Sequence, residues 1–211
     1  MPDFVDIHTH APEVSGIRIY SRRLGVEEVI PARPYSEGIH PWDVISVGNT
    51  APLIKLLLTD NIAAVGEIGL DKLHNDYPKQ IEVFKAQLDV AERRKLPVII
   101  HCVRALEDVL KILAGFHTGP VIFHSYIGSV QQTQRLYESG YYISAGNISL
   151  ESSKTLESLR NFPPDRLFLE TDDTGLPIET IYEKTSQVLN IPENELVRQI
   201  YDNYKTVFPE L

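Results

Sequence analysis

The chain has 211 residues, a formal net charge of −9, 43% hydrophobic and 23% charged residues, and a single cysteine, Cys102. That length suits one sizeable core, and the composition excludes a disordered or low-complexity chain. One cysteine excludes an intrachain disulfide framework and fits a reducing compartment, and the acidic balance argues against a broad basic face for duplex DNA. A local site in which metal ions supply the positive charge stays compatible with it.

No apolar run approaches the roughly 20 residues that cross a bilayer. Met1 to Asp6 lacks the basic start and long apolar stretch of a signal peptide, so a cytoplasmic location is expected. In chain order, Phe4–Ile7 reads as a first strand and Ile17–Tyr20 alternates like a half-exposed one. Between Ala11 and Gly38 no long helix is predicted. Ala63–Ile68 reads as a strand, followed by a helix over about Pro78–Lys95 with Ile81, Phe84, Leu88 and Ala91 on one face. Val98–Ile100 follows as a strand, and Leu106, Val109, Leu110 and Leu113 form a helical stripe. Gly119-Pro120 breaks it before Val121–Phe123. A helix through Val130, Thr133 and Leu136 ends near Gly140. Tyr141–Ser144, a polar helix over Glu151–Arg160, the strand Leu167–Leu169, and helices over Ile178–Leu189 and Glu193–Phe208 complete the chain.

Alternating strands and helices predict a parallel sheet, and a TIM-type (β/α) barrel shortened or irregular over residues 11–38 is expected. Residues 1–211 read as one domain, with no repeat or linker. The histidines and acids fall at strand ends. His8 and His10 follow the first strand, Glu67 lies in Val65–Ile68, His101 follows Val98–Ile100, His124 follows Val121–Phe123, and Asp172 follows Leu167–Leu169. In a barrel these ends converge on one mouth. His8 and His10, two apart on an extended segment, share a face and can chelate one cation. His-x-His alone is weak, but buried imidazoles and carboxylates are costly unless paired or coordinated, and so many at strand ends need a reason.

The segments Asp6-Ile7-His8-Thr9-His10, Gly38-Ile39-His40-Pro41, Gly66-Glu67-Ile68-Gly69-Leu70-Asp71, Pro97–Arg104 and Leu169-Glu170-Thr171-Asp172 together resemble the successive signatures of the TatD family of metal-dependent deoxyribonucleases. His124-Ser125-Tyr126-Ile127-Gly128 resembles another of them, and the family belongs to the amidohydrolase-like group of barrels. The resemblance implies two divalent ions (Zn, Mn, Fe, Co, Ni or Mg). His8 and His10 would hold one, His101 and His124 the other, and Glu67 would bridge. Asp172 would complete the shell of the first ion and take a proton from the attacking water. Metal binding lowers the pKa of water from about 15.7 toward about 7, and two ions can stabilise both the entering and the leaving oxygen of a phosphodiester. Imidazole-rich sets suit the transition metals better than Mg²⁺.

His40 is assigned either to substrate binding or to structure. Arg104 is assigned either to a bidentate phosphate contact or to a surface ion pair with Glu107 or Asp108. Asp71 suits a partner that orients a metal-bound histidine. Cys102 is expected to point away from the site, and His74 and His117 to be surface residues.

The chain is shorter than the family's usual length, mostly between His10 and Gly38, and Asp173-Thr174 replaces the expected small residue and proline. Loops at this face select substrate, so the metal site transfers more readily than the DNase activity. The expected activity is TatD-like phosphodiester hydrolysis, with single-stranded DNA ends, short oligonucleotides or a smaller phosphodiester as substrate. The alternatives are amidohydrolase-type cleavage of a small amide or ester, and a non-catalytic binding protein on the same scaffold.

Overall fold

The computed structural model describes residues 3–11, 16–32 and 34–211. Its strands are β1 (Val5–Thr9), β2 (Ile17–Arg23), β3 (Tyr35–Gly38), β4 (Ala64–Asp71), β5 (Val98–Val103), β6 (Val121–Phe123), β7 (Tyr142–Ala145) and β8 (Leu167–Leu169). They form one eight-stranded sheet in chain order. The β1/β2, β3/β4, β4/β5, β6/β7 and β7/β8 pairings are parallel. A parallel bridge from Thr9 to Asp172 joins the end of β1 to the segment just after β8. This is a nearly closed barrel of TIM type.

Helix α1 (Thr50–Leu56) follows β3, α2 (Tyr77–Arg94) follows β4 and α3 (Leu106–Leu113) follows β5. Helix α4 (Val130–Glu138) follows β6, and α5 (Asn147–Glu151) with α6 (Ser153–Leu159) follows β7. Helices α7 (Ile178–Leu189) and α8 (Glu193–Val207) come after β8. Among the described residues no helix separates β1 from β3, as the irregular stretch over 11–38 implied.

Three details depart from the sequence pattern. Strand β2 runs on to Arg23 because its two arginines are paired. Arg22 forms a buried ion pair with Glu37 of β3 and donates to the carbonyls of Glu27 and Val29, while Arg23 grips Asp43 bidentately at 2.8 and 2.6 Å. The polar helix expected over 151–160 is split at Ser152, whose hydroxyl accepts the Thr155 N–H and caps α6. Helix α1 has no clear apolar stripe, so the sequence pattern does not predict it.

The chain divides into two compact units, residues 1–20 with 122–211, and residues 21–121. In the first, Ile7, Phe123, Ile143, Phe168, Tyr182 and Ile200 are core. The Tyr182 hydroxyl donates to the Val5 carbonyl at 3.0 Å and accepts the Val5 N–H at 3.1 Å, which fastens α7 to the start of β1. In the second, α2 lies on β4 and buries Val83, Phe84, Leu88 and Ala91. The same helix face carries two buried amides. Gln87 exchanges both hydrogen bonds with the Ile39 backbone, and Gln80 does so with Asp71 while also donating to the Asn75 carbonyl. These amides fix the two loops that carry the site residues of this unit.

Candidate metal centre

In the first unit the His-x-His segment is held by backbone. The Asp172 N–H donates to the His8 carbonyl at 3.0 Å, and the His10 N–H donates to the Asp172 carbonyl at 3.1 Å. Asp6, which opens the segment, accepts both the amide and the hydroxyl of Thr171 at 3.0 and 2.6 Å. Burial pushes the Asp6 carboxyl up to about 7 although the Thr171 bonds favour its charged form.

This ladder presents Asp172 to both imidazoles. Its Oδ1 lies 3.8 Å from His8 Nε2 and 3.7 Å from His10 Nε2. Donors about 2.1 Å from a tetrahedral ion stand about 3.4 Å from one another, so the donor set fits a divalent cation of zinc size. Asp172 adopts φ +53°, a left-handed conformation that Asp tolerates better than bulky residues do. A cleft of about 440 Å³ lined by His10, Thr171, Asp172 and Asp173 opens beside it.

His124 stands next to this group, its ring centroid 4.3 Å from that of His8, and its Nδ1 lies 3.6 Å from Glu170 Oε1. Glu170 is fully buried and accepts the Ser125 N–H at 2.6 Å and the Ser144 hydroxyl. Burial alone would raise its carboxyl, but the His124 contacts outweigh this and hold it below the usual range. Glu170 belongs to the Leu169-Glu170-Thr171-Asp172 motif, in which the sequence assigns a role to Asp172 alone. The signal was present, because Glu170 stands two residues before Asp172 on an extended segment and so faces the same way.

The second unit gathers another set. Glu67 Oε1 lies 2.6 Å from His101 Nδ1 and 3.0 Å from His40 Nε2, and the two ring nitrogens are 3.3 Å apart. His101 Nε2 faces Asp71 Oδ2 at 3.4 Å, and Asp71 also accepts the Trp42 indole N–H at 2.7 Å. Burial opposes the Asp71 charge, yet the bonds from Trp42, Leu73 and His101 win and lower its pKa. A proton on His101 Nε2 toward Asp71 leaves a lone pair on Nδ1 aimed at the Glu67 carboxylate. Those two groups repel unless a proton or cation lies between them, so this donor set also fits a metal.

His40 is oriented differently. Its Nδ1 accepts the Trp42 backbone N–H at 3.1 Å, so the neutral ring carries its proton on Nε2 and donates it to Glu67. Burial lowers its pKa despite Glu67, which keeps the ring neutral near pH 7. Gly69 lets β4 approach here, since any Cβ on it would overlap the His101 carbonyl oxygen. Arg104, exposed and at φ +52°, follows β5 directly. Asp108 is engaged by Lys72 and by the Tyr77 hydroxyl, each at 2.7 Å. Burial raises the Cys102 thiol to about 12, which leaves it inert at neutral pH. His74 is exposed, with its Nε2 3.8 Å from Asp71 Oδ2.

The family model of the TatD-related DNases matches residues 30–209. The chain belongs to the TatD family. It is 34% identical to the uncharacterized metal-dependent hydrolase YabD of Bacillus subtilis, over 64% of this chain and 56% of that protein. It is 34% identical to deoxyribonuclease Tat-D of Schizosaccharomyces pombe, over 64% of this chain and 49% of that protein. The chain thus spans between half and two thirds of the length of curated TatD relatives such as YabD, and about half of the yeast enzyme. The crystal structure of the TatD homologue YjjV from Escherichia coli superposes with a TM-score of 0.83 at 23% identity, covering 99% of this chain and 98% of that one. That likeness shows the barrel fold. No helix among the described residues is long and apolar enough to cross a membrane.

Proposed function

We propose that this chain is a metal-dependent phosphodiesterase of deoxyribonuclease type, acting in the cytoplasm on single-stranded DNA ends or short oligonucleotides. The observation that carries the reading is the convergence of His8 Nε2 and His10 Nε2 on one oxygen of Asp172 at nearly equal distances. Two imidazoles and a carboxylate held in that way by backbone hydrogen bonds form a cation-binding set. The yeast relative is a deoxyribonuclease by name, which supports phosphodiester substrates.

Divalent ions, two per chain, would be held by donors drawn from His8, His10, Glu67, His101, His124 and Asp172. When bound they supply Lewis acidity and lower the pKa of water. Zn²⁺, Mn²⁺, Fe²⁺, Co²⁺ or Ni²⁺ suits the imidazoles ahead of Mg²⁺. Asp172 accepts the proton of the attacking water, because its carboxylate is partly exposed beside the cleft while its backbone is fixed. Glu67 offers its carboxyl between His40 and His101 at the other set. His40 orients Glu67 through its Nε2–H, and Arg104 offers an exposed guanidinium to a phosphate oxygen.

Elemental analysis of the purified protein, before and after reconstitution, together with an oligonucleotide hydrolysis assay, tests this. One to two transition-metal ions per chain, lost in His8→Ala/His10→Ala along with hydrolysis, is the expected result. Full metal content and full activity in that double variant would overturn the site. A metal-loaded protein that cleaves amides or carboxylic esters but no phosphodiester would overturn the substrate class.

A further inference from the structure

Trp42 is the chain's one tryptophan, and it stands beside the Glu67 cluster with 48% of its surface exposed. Its polar atom is already satisfied, since Nε1 donates to buried Asp71. The exposed part is therefore aromatic face and edge, which folding alone favours burying. His74 lies parallel to it, with ring centroids 4.6 Å apart and planes 19° from parallel. The indole also meets His40 and His101 in T-shaped contacts, with 4.7 and 5.7 Å between centroids. Leu73, 62% exposed, precedes His74 in the same turn.

The backbone that carries both rings is held by buried amides. Gln87 clamps the backbone at Ile39, just before the turn that carries Trp42, and Gln80 clamps the loop from Asp71 to Asn75 that carries His74. An exposed, rigid pair of stacked rings one residue's width from a metal-type cluster is the form of a base-stacking platform, because every nucleobase has a π face and stacking needs no sequence.

We propose that the Trp42–His74 pair binds a nucleobase of the substrate by extending the stack, and so places the attached phosphodiester at the Glu67–His101 cluster. The proposal rests on the phosphodiesterase reading and names what that site selects: nucleic acid bases, in preference to phosphodiesters without them. The indole and imidazole touch the base and not the phosphate, so they act on binding and positioning of the substrate. Asp71 links the two functions, because the same Oδ2 takes the Trp42 N–H and faces His101.

A single tryptophan makes the test direct. Fluorescence of the full chain is titrated, in chelator so that nothing turns over, with a short single-stranded oligonucleotide and with its abasic counterpart of equal phosphate number. Hydrolysis of both by the metal-loaded protein is measured in parallel. The expected result is saturable quenching by the base-bearing oligonucleotide alone. The preference in KM for base-bearing over abasic substrate is expected to fall by about tenfold or more in Trp42→Ala and His74→Ala, the span of one stacked base. Trp42→Phe, which keeps a ring but loses the Asp71 bond, retains most of that preference, whereas a purely structural role through Asp71 would make Phe as damaging as Ala. Equal quenching by the two oligonucleotides overturns the proposal. So does an unchanged preference in both alanine variants. Quenching by neither, with phosphodiester cleavage intact, overturns the platform and leaves the phosphodiesterase standing. Quenching by neither and cleavage of neither removes both.

Discussion

His40 Nε2 lies 3.0 Å from Glu67 Oε1, while the opposite ring nitrogen of His40 is occupied by the Trp42 backbone N–H. The ring is thereby a hydrogen-bond donor to the carboxylate, and its role is to hold Glu67 in place. His40→Gln, whose amide can donate from a similar position, is expected to keep more activity than His40→Ala. The alanine variant loses about 10- to 100-fold in kcat or metal affinity, as is usual when a ligand's orienting partner is removed. Metal titration alongside kinetics checks this, and equal losses in the two variants would argue for a different role.

Asp71 is the corresponding partner of His101. Asp71→Asn keeps an acceptor for Trp42 but removes the charge facing His101 Nε2, and a fall of about 10-fold or more in metal affinity is expected. The folded-state pKa of Asp71 is lowered, so its ionisation contributes stability above its ordinary value of 3.8 that is lost as pH falls below it. In chelator, the acid unfolding limb of the wild type should therefore be steeper than that of Asp71→Asn below about pH 4.

The barrel and the strand-end histidines were legible in the sequence because both depend on short-range patterns. Apolar runs such as Val98–Ile100 and Val121–Phe123 mark strands, and whatever follows them lies at the C-terminal rim. The partners of those histidines were harder to read, since they are made by alternation and by loops. Glu170 was hidden by its place in the strand-end motif, and Trp42 by reading Gly-Ile-His-Pro for its histidine alone. Gln80 and Gln87 sit on a helix face where periodicity leads one to expect only apolar residues, and Ile81, expected on that face, is half exposed. Amides that clamp loop backbone satisfy polar groups that have no sequence signature of their own. Arg22 and Arg23 prolong β2 for a similar reason, because Glu37 and Asp43 lie far along the chain.

Glu170 carries a structural prediction. Its carboxylate is the buried acceptor for the Ser125 amide and the Ser144 hydroxyl and faces His124. Glu170→Ala leaves those donors unsatisfied, and a loss of about 3 kcal/mol in unfolding free energy is expected. Urea denaturation of the two proteins in chelator measures it. A loss within about 0.5 kcal/mol, the range of ordinary surface substitutions, would mean that the contacts are not formed in solution.

Asp6 yields the sharpest pH dependence. Its carboxyl is buried and raised from 3.8 to about 7, whereas in the unfolded chain it titrates near 3.8. Between those values the folded protein holds a proton that the unfolded chain has released, so folding is favoured by acid. The stabilisation is fully present below about pH 3.8 and is lost as pH rises through about 7, beyond which it stays absent. Other carboxylates, Asp71 and Glu170 among them, have lowered values and slope the opposite way only at the acid end of the range. His40, whose pKa burial lowers from 6.5, slopes the opposite way within the same window, so the Asp6 contribution is read as the difference in slope between wild type and Asp6→Asn from pH 5 to pH 7. Asp6→Asn, which can still accept the Thr171 N–H through its amide oxygen, should remove that contribution while remaining folded. Measurement in chelator removes the linkage between protons and bound metal that would otherwise contribute to the slope. Wild type and Asp6→Asn with the same slope between pH 5 and pH 7 would show that Asp6 stays ionised through the range, paired more closely to Thr171 than its burial opposes.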